Sequence, residues 1–176
     1  MRAFIALALL VVSASAIAEW QPDPGKSLEV EAADVLQLFK SGEPDLAAEY
    51  LGDSVGYAVF PVLKRGGLLF GWASGTGVLV EGDAATGIIE QRRFSFGAQV
   101  GYQKEAQIIF FKTQDALDAF KKGTVEFDPA ASATAGSSGG MNNGSFNPDV
   151  AIFAVTQKGL MAEAAAAASR YKFKPY

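Results

Sequence analysis

The fold of this chain is decided by the stretch from Val55 to Asp83, which reads VGYAVFPVLKRGGLLFGWASGTGVLVEGD. Short apolar runs alternate here with glycines, a pattern that favours strands and tight turns over long helices. Pro61 is expected to end the first strand, because proline cannot donate a hydrogen bond to a neighbouring strand. Gly82 and Asp83 are expected to form a turn. The strands predicted in this stretch are 55–61, 66–74 and 77–81.

Further strands are predicted downstream at similar spacing. They are 87–91, 94–102, 106–112, 125–134 and 150–156. Within 94–102 apolar residues alternate with small or polar ones, the period of two that is typical of a strand. Short strands at this spacing predict a single α+β domain, with a curled antiparallel β-sheet or barrel-like core and a few short covering helices.

Three short helices are predicted beside these strands. Ser27 is expected to cap a helix from Leu28 to Phe39, whose apolar residues fall on one stripe while Glu29, Glu31 and Asp34 lie elsewhere. Its acidic polar face favours packing against the protein core over lying on a membrane. The other two helices are 45–51 and a short one capped by Thr113. Residues 162–169 stay open, because alanine favours a helix but small residues also suit a tightly closing strand.

The first 18 residues resemble a secretory signal peptide. Arg2 gives a positive start, an apolar run follows, and Ala16-Ile17-Ala18 has the small-x-small cleavage pattern. We therefore expect cleavage after Ala18, a single domain over residues 19–176, and an exported, periplasmic location. The sequence has no cysteine, so an anchor on a lipidated cysteine is not expected.

The composition excludes several classes of function. The chain has neither histidine nor cysteine, so it lacks thiol nucleophiles, histidine bases and the usual ligands of zinc. We expect no catalytic residues, no metal site and no cofactor. The formal net charge of −4 also argues against nucleic acid as a partner, since affinity for phosphates comes mainly from lysine and arginine.

Basic residues recur beside the proposed turns and strand ends. If they cluster in the fold, they would make an anion-binding or headgroup-binding patch on an otherwise acidic protein. The candidates for lipid headgroups are Lys64, Arg65, Arg92, Arg93 and Lys158. The alternative is that these residues are only solvated rims. Carboxylates at helical spacing, Asp45 with Glu49 and Asp115 with Asp118, are expected on exposed helix faces.

Several segments together resemble the SYLF domain, also called the Ysc84 actin-binding or lipid-binding domain. They are Gly56 to Pro61, Arg65 to Gly67 with Gly71, Gly75 to Val80, Ser95 to Gly101, Phe110 to Thr113 with Ala116, Leu117 and Phe120, Val150 to Phe153, and Lys158 to Met161. The resemblance implies a non-enzymatic module that binds phospholipid, with phosphoinositides preferred by eukaryotic relatives and actin bound by fungal ones. It also implies a strand over 162–169.

The sequence departs from the family in two places. Eukaryotic members use an amphipathic N-terminal helix for membranes, whereas this chain has a signal peptide and an acidic helix there. Alanines follow Lys158-Gly159-Leu160, where the family often has glycines. An exported bacterial member would meet neither actin nor phosphoinositides.

The leading hypothesis is a non-catalytic domain of the cell envelope that binds phospholipid or a membrane surface. An alternative is a structural or protein-interaction module that uses edge strands or the polar loop 136–147 to bind an envelope protein, with actin as a partner only in a eukaryote. A third possibility, a carboxylate-dependent hydrolase, finds little support in these residue types.

Overall fold

The computed structural model describes residues 19–67, 70–96, 101–123, 149–156, 159–162 and 168–176. The predictions for the signal peptide, for the strand 125–134, for the loop 136–147 and for Lys158 lie outside these residues. None of the helices in the described part of the chain is long and apolar enough to cross a membrane.

The described strands form one antiparallel sheet of seven strands, in the order β6-β5-β4-β1-β2-β3-β7. The strands are β1 (Gly56–Gly67), β2 (Phe70–Glu81), β3 (Ala84–Phe96), β4 (Gly101–Phe111), β5 (Val150–Thr156), β6 (Gly159–Ala162) and β7 (Ala168–Pro175). The helices are α1 (Ser27–Gly42), α2 (Pro44–Asp53) and α3 (Gln114–Lys121). The predicted α+β class, a curled antiparallel sheet with a few short helices, is confirmed.

Helices cover both faces of the sheet. On the first face, α1 and α2 pack on a cluster that includes Tyr57, Val78 and Phe110. The aromatic rings of Phe39 and Phe110 lie 5.6 Å apart, which joins α1 to the centre of the sheet. On the second face, α3 packs through its buried Leu117 and Phe120. The sheet is therefore the middle layer between two apolar cores.

The predicted end of the first strand at Pro61 is wrong. β1 lies between β2 and β4, and its pairing with both resumes after the proline. The register with β2 shifts between Val59 and Val62, and with β4 between Phe60 and Leu63. Such a bulge leaves an extra residue outside the regular pairing, so the missing N–H of proline breaks no regular ladder bond.

Two predicted strands are each divided in the structure. The stretch 66–74 contains the end of β1 and the start of β2, where Gly66 pairs with Trp72 and Gly67 with Gly71. The stretch 94–102 contains the end of β3 and the start of β4, which are not neighbours in the sheet. Alternation of residue types identifies the faces of a strand, but it does not reveal where the chain reverses direction.

The helix predictions are largely confirmed. Ala32, Leu36 and Phe39 are buried in α1, and α2 and α3 form where helices were expected. Thr113 caps α3 by accepting a hydrogen bond from the backbone N–H of Ala116 at 3.4 Å. Ser27, however, is the first residue of α1 and not its cap, and Lys26 at the cap position forms no capping side-chain bond.

The open question over residues 162–169 is answered at both ends of the stretch. Ala162 is the last residue of β6, and Ala168 and Ser169 begin β7. The residues between them lie outside the described part. β7 continues to Pro175 beside β3, so it extends beyond the predicted end at Ser169.

Two glycines of β2 allow a close approach between β1 and β2. A Cβ on Gly77 would lie 2.5 Å from the carbonyl oxygen of Val59 and 2.7 Å from the ring of Phe60. A Cβ on Gly75 would lie 2.6 Å from both the carbonyl oxygen of Val62 and the side chain of Leu63. The buried rings and methyl groups of β1 therefore occupy the space that side chains at these positions would need.

We expect Gly77→Ala to destabilise the fold by about 1–3 kcal/mol, the usual range for overpacking a core. The measurement is the free energy of unfolding in urea. Gly52→Ala is the matched control, because a Cβ there meets nothing within 4 Å and alanine favours a helix. Equal stability of the two variants would contradict the close approach.

Glu29 is buried, although the sequence placed it away from the apolar stripe. Its carboxylate accepts a hydrogen bond from the backbone N–H of Asp23 at 2.9 Å and lies 3.0 Å from the ammonium of Lys26. That ammonium lies 3.6 Å from the centre of the Tyr176 ring. We call Lys26, Glu29 and Tyr176 the terminal clasp, because they join the start of α1 to the residue after β7.

The terminal clasp shifts the pKa values of its acidic groups in opposite directions. Burial alone would raise the pKa of Glu29, but the Asp23 N–H, Lys26 and Tyr176 together lower it below 4.5. Burial, with the hydrogen bond to Glu29, raises the pKa of Tyr176 to about 12. Because the pKa of Glu29 is lower in the folded chain than in the unfolded chain, this group stabilises the fold at pH values above the ordinary pKa of glutamate. The stabilisation is lost as the pH falls through the pKa of the folded state. Because the pKa of Tyr176 is raised, this group stabilises the fold below pH 10. The stabilisation is lost as the pH rises towards 12.

We expect Glu29→Gln to destabilise the protein at pH 7 by about 1–3 kcal/mol, because it removes a buried, charge-assisted acceptor. The difference from the unmodified chain should shrink as the pH is lowered through the folded pKa, where Glu29 itself becomes neutral. Urea unfolding at a series of pH values measures it. The exposed Glu31→Gln is the control, and a deficit that does not depend on pH would contradict the ionic role of Glu29.

Candidate functional site

The register of the sheet aligns basic residues from four strands in one row. Lys64 pairs with Lys104 on one side and Ser74 on the other, Ser74 pairs with Arg92, and Arg92 pairs with Arg170. Directly paired residues of antiparallel strands lie side by side on one face. The sequence Lys104–Lys64–Ser74–Arg92–Arg170 therefore crosses five strands, and we call it the basic row.

The basic row lies on the same face of the sheet as α1 and α2, but beyond the part that the helices cover. Val62 pairs with Thr76, and the alternation along β2 places Thr76 and Ser74 on the face of the buried Val78. Lys64, Arg92, Lys104 and Arg170 are all exposed. The helices thus bury the apolar end of this face and leave its basic end open.

A cleft of about 640 Å³ separates α1 from the open end of this face. Leu28 and Glu31 form its helical wall. The sheet side includes Lys64 and Arg92 from the basic row, and the residues between and beside them are Pro61, Val62, Ser74, Gly75, Thr76, Glu90 and Gln91. The cleft therefore combines two cations, two carboxylates, two hydroxyl groups and apolar side chains.

The charge of this region is predominantly positive. Lys172 and Lys174 follow Arg170 at alternate positions along β7, so they share its face. The ammonium of Lys174 donates a hydrogen bond to Glu90, and this contact, with the charges of Lys174, Lys172 and Arg92, lowers the pKa of that carboxyl. Within the described residues, no carboxylate forms an ion pair with any of the four cations of the basic row.

The structure brings together two of the five predicted headgroup residues, Lys64 and Arg92. Arg65 and Arg93 belong to the next register row, where each pairs with the buried Ala73. Lys158 lies outside the described residues.

Sequence reasoning missed Lys104 and Arg170. Lys104 lies between two predicted strands, and Arg170 follows the predicted end of the strand at Ser169. Which residues form a row across the sheet depends on the order and register of the strands, and the sequence did not predict either. The only sequence signal for these two residues was their charge next to predicted strands.

The described residues offer little for acid–base or metal chemistry. They include no group of three or more His, Cys, Asp and Glu side chains placed to hold a metal ion. Asp45, Glu49 and Asp115 are exposed, as expected from their spacing, and Asp118 accepts a hydrogen bond from the side chain of Gln114 at 2.9 Å. Glu90 in the cleft has a lowered pKa, the opposite of what a general acid needs near neutral pH.

Comparison with known proteins finds a family match over part of the chain. Residues 92–174 match the family model described as "Ysc84: Las17-binding protein actin regulator". No curated protein matches the chain. The matched segment contains Arg92, Lys104 and Arg170 of the basic row, whereas Lys64 precedes it. The family is not a recognised enzyme family. The resemblance seen in the sequence motifs is thus confirmed, since residues 92–174 match the Ysc84 (SYLF) family model.

Proposed function

We propose that this chain is an exported, non-catalytic domain of the cell envelope that binds the headgroups of anionic phospholipids through the basic row. The observation that carries the proposal is the alignment of Lys104, Lys64, Arg92 and Arg170 on one open face. Guanidinium groups can bind a phosphate through two parallel hydrogen bonds, and ammonium groups attract it as point charges.

Local charge supports this proposal although the whole chain is acidic. Of the exposed carboxylates of the helices, Glu31 lies in the wall of the cleft, and the others lie farther from the row on α1 and α2, and they are Asp34, Asp45, Glu49 and Asp53. Because charges in salt solution act over about 10 Å, an anionic surface near the basic row interacts mainly with the row. Net charge therefore does not decide the attraction.

A protein partner bound by strand addition finds less support in the described residues. The outer edge of β7 has no neighbouring strand among them, but it carries Lys172, Lys174 and Pro175. Lysine and proline on an edge strand are typical of edges that resist pairing with other chains. The family description names Las17 and actin, and these would be partners of this chain only if it met a eukaryotic cytoplasm.

The start of the described fold supports export with cleavage after Ala18. Glu19 forms an ion pair with Lys40 of α1, and Trp20 is buried in the core under the helices. The folded domain therefore uses the residues that immediately follow the proposed cleavage site.

We expect the mature protein, purified from the envelope of its own host, to begin at Glu19. Intact-mass measurement tests this, with the product of cytoplasmic expression without the export machinery as the control. A mature chain that retains residues 1–18 would contradict cleavage.

Binding to lipid vesicles tests the proposed function directly. Each lysine or arginine near an anionic membrane contributes about 1 kcal/mol, so Lys64→Gln and Arg92→Gln should each weaken binding about fivefold. The double variant should weaken it about 25-fold if the two contributions add. The measurement is co-sedimentation with phosphatidylcholine vesicles that contain 0 or ~30% phosphatidylglycerol, at low and at high salt.

Lys122→Gln is the matched control, because it removes the same charge from an exposed position just after α3, the helix that covers the second face. It should bind as the unmodified chain does. Absence of binding at every lipid composition, or equal losses for Lys64→Gln and Lys122→Gln, would contradict the proposal.

A further inference from the structure

The two tryptophans of the chain have very different surroundings. Trp20 is 5% exposed and lies in the core, whereas Trp72 is 44% exposed on β2. A large aromatic side chain is usually much more buried than this. An exposed tryptophan beside a binding site is therefore informative about what the site meets.

Trp72 is held in place against the sheet. It pairs with Gly66, and its indole atoms lie 3.2–3.4 Å from the position that a Cβ on Gly66 would occupy. The next pair along the two strands, Gly67 with Gly71, is the last that the structure describes at the end of the sheet where β2 follows β1, which we call the hairpin end. The indole thus lies across the glycine backbone at the hairpin end of the sheet, and one of its sides faces solvent.

The basic row is the next neighbour of Trp72 on the same face. Trp72 precedes Ser74 by two residues, and Gly66 follows Lys64 by two, a distance of about 7 Å along a strand. Val62, which precedes Lys64 by two residues, is also exposed, at 37%. Apolar surface and positive charge therefore lie side by side at the open end.

The distribution of charge gives this face a direction. Apart from Glu31 in the wall of the cleft, the exposed carboxylates of α1 and α2 lie at the covered end, and the basic row lies between them and Trp72. An anionic surface attracts the open end and repels the helical end. Of the possible contact geometries, the one with the hairpin end towards the surface satisfies both forces.

We infer that Trp72 is the anchor with which the domain enters the headgroup region of an anionic bilayer, with the β1–β2 hairpin end lowest and α1 and α2 turned away. This inference rests on the proposed lipid binding and adds the orientation and the depth of contact. The indole occupies the boundary between headgroups and acyl chains, where its apolar ring and its N–H group are both satisfied. The basic row then lies level with the phosphates.

Tryptophan fluorescence tests the inference, since the two tryptophans can be separated. Trp20→Phe leaves Trp72 as the only indole, and its emission should shift to shorter wavelength when phosphatidylcholine vesicles with ~30% phosphatidylglycerol are added. Lipids brominated near the start of the acyl chain should quench it more than lipids brominated near the chain end. Trp72→Phe leaves only the buried Trp20, whose emission should stay unchanged.

If Trp20→Phe weakens the fold, the difference between the spectra of the unmodified chain and Trp72→Phe gives the same information. Trp72→Ala should lower the affinity about tenfold through lost apolar burial, and Trp72→Phe should retain most of it. Leu38→Ala is the matched control, because Leu38 is 49% exposed on α1, at the end that is turned away.

The outcomes separate the two proposals. If the chain co-sediments with anionic vesicles but the emission of Trp72 does not change, the anchoring role of Trp72 is wrong and the proposed lipid binding of the basic row still stands. An equal loss for Trp72→Ala and Leu38→Ala would also overturn it, as would an equal spectral shift with vesicles of pure phosphatidylcholine. Failure to bind any vesicle would overturn the proposed function together with this inference.

Discussion

The close contact between β1 and β2 is the constraint on which the rest of the structure depends. Gly75 and Gly77 leave room for the side chains of Phe60 and Leu63, so the two strands can approach each other and hold a single register beside the bulge at Pro61. That register places Lys64 beside Ser74, and the pairing of β2 with β3 continues the row to Arg92. A slip of one residue would move each of these side chains to the opposite face.

The helices determine how each part of the first face is used. α1 and α2 bury the apolar residues at one end, which leaves the polar end as a cleft and an open strip of cations. An N-terminal helix that is occupied in this way cannot also lie in a membrane, because its apolar stripe is already buried. The burial of Phe39 and Leu36 thus explains why the proposed lipid contact is placed on the sheet and not on the helix.

The sequence predicts local structure well where one stretch of chain contains the whole signal. The apolar stripe of α1, the cap at Thr113 and the strand 150–156 are of this kind. Pairing partners are not local, so the reversal after Gly67 and the separation of β3 from β4 could not be recognised from alternation alone. The same holds for the site. Lys64 and Arg92 were recognised because each belongs to a basic pair in the sequence, whereas Lys104 and Arg170 can be assigned to the site only when the strand order is known. The burial of Glu29 was also hidden, because its partners include Tyr176 at the far end of the sequence.

The basic row is assembled from separate strands, and this has a consequence for when its positive charge forms. Its cations come from four strands, so an unfolded chain does not bring these four charges together. In the proposed export, the complete row would therefore be present only after folding, and so would the proposed adhesion to an anionic leaflet. Lipid that binds only the folded chain would also raise its thermal stability by mass action, so the chain would be most stable while it is bound to the bilayer.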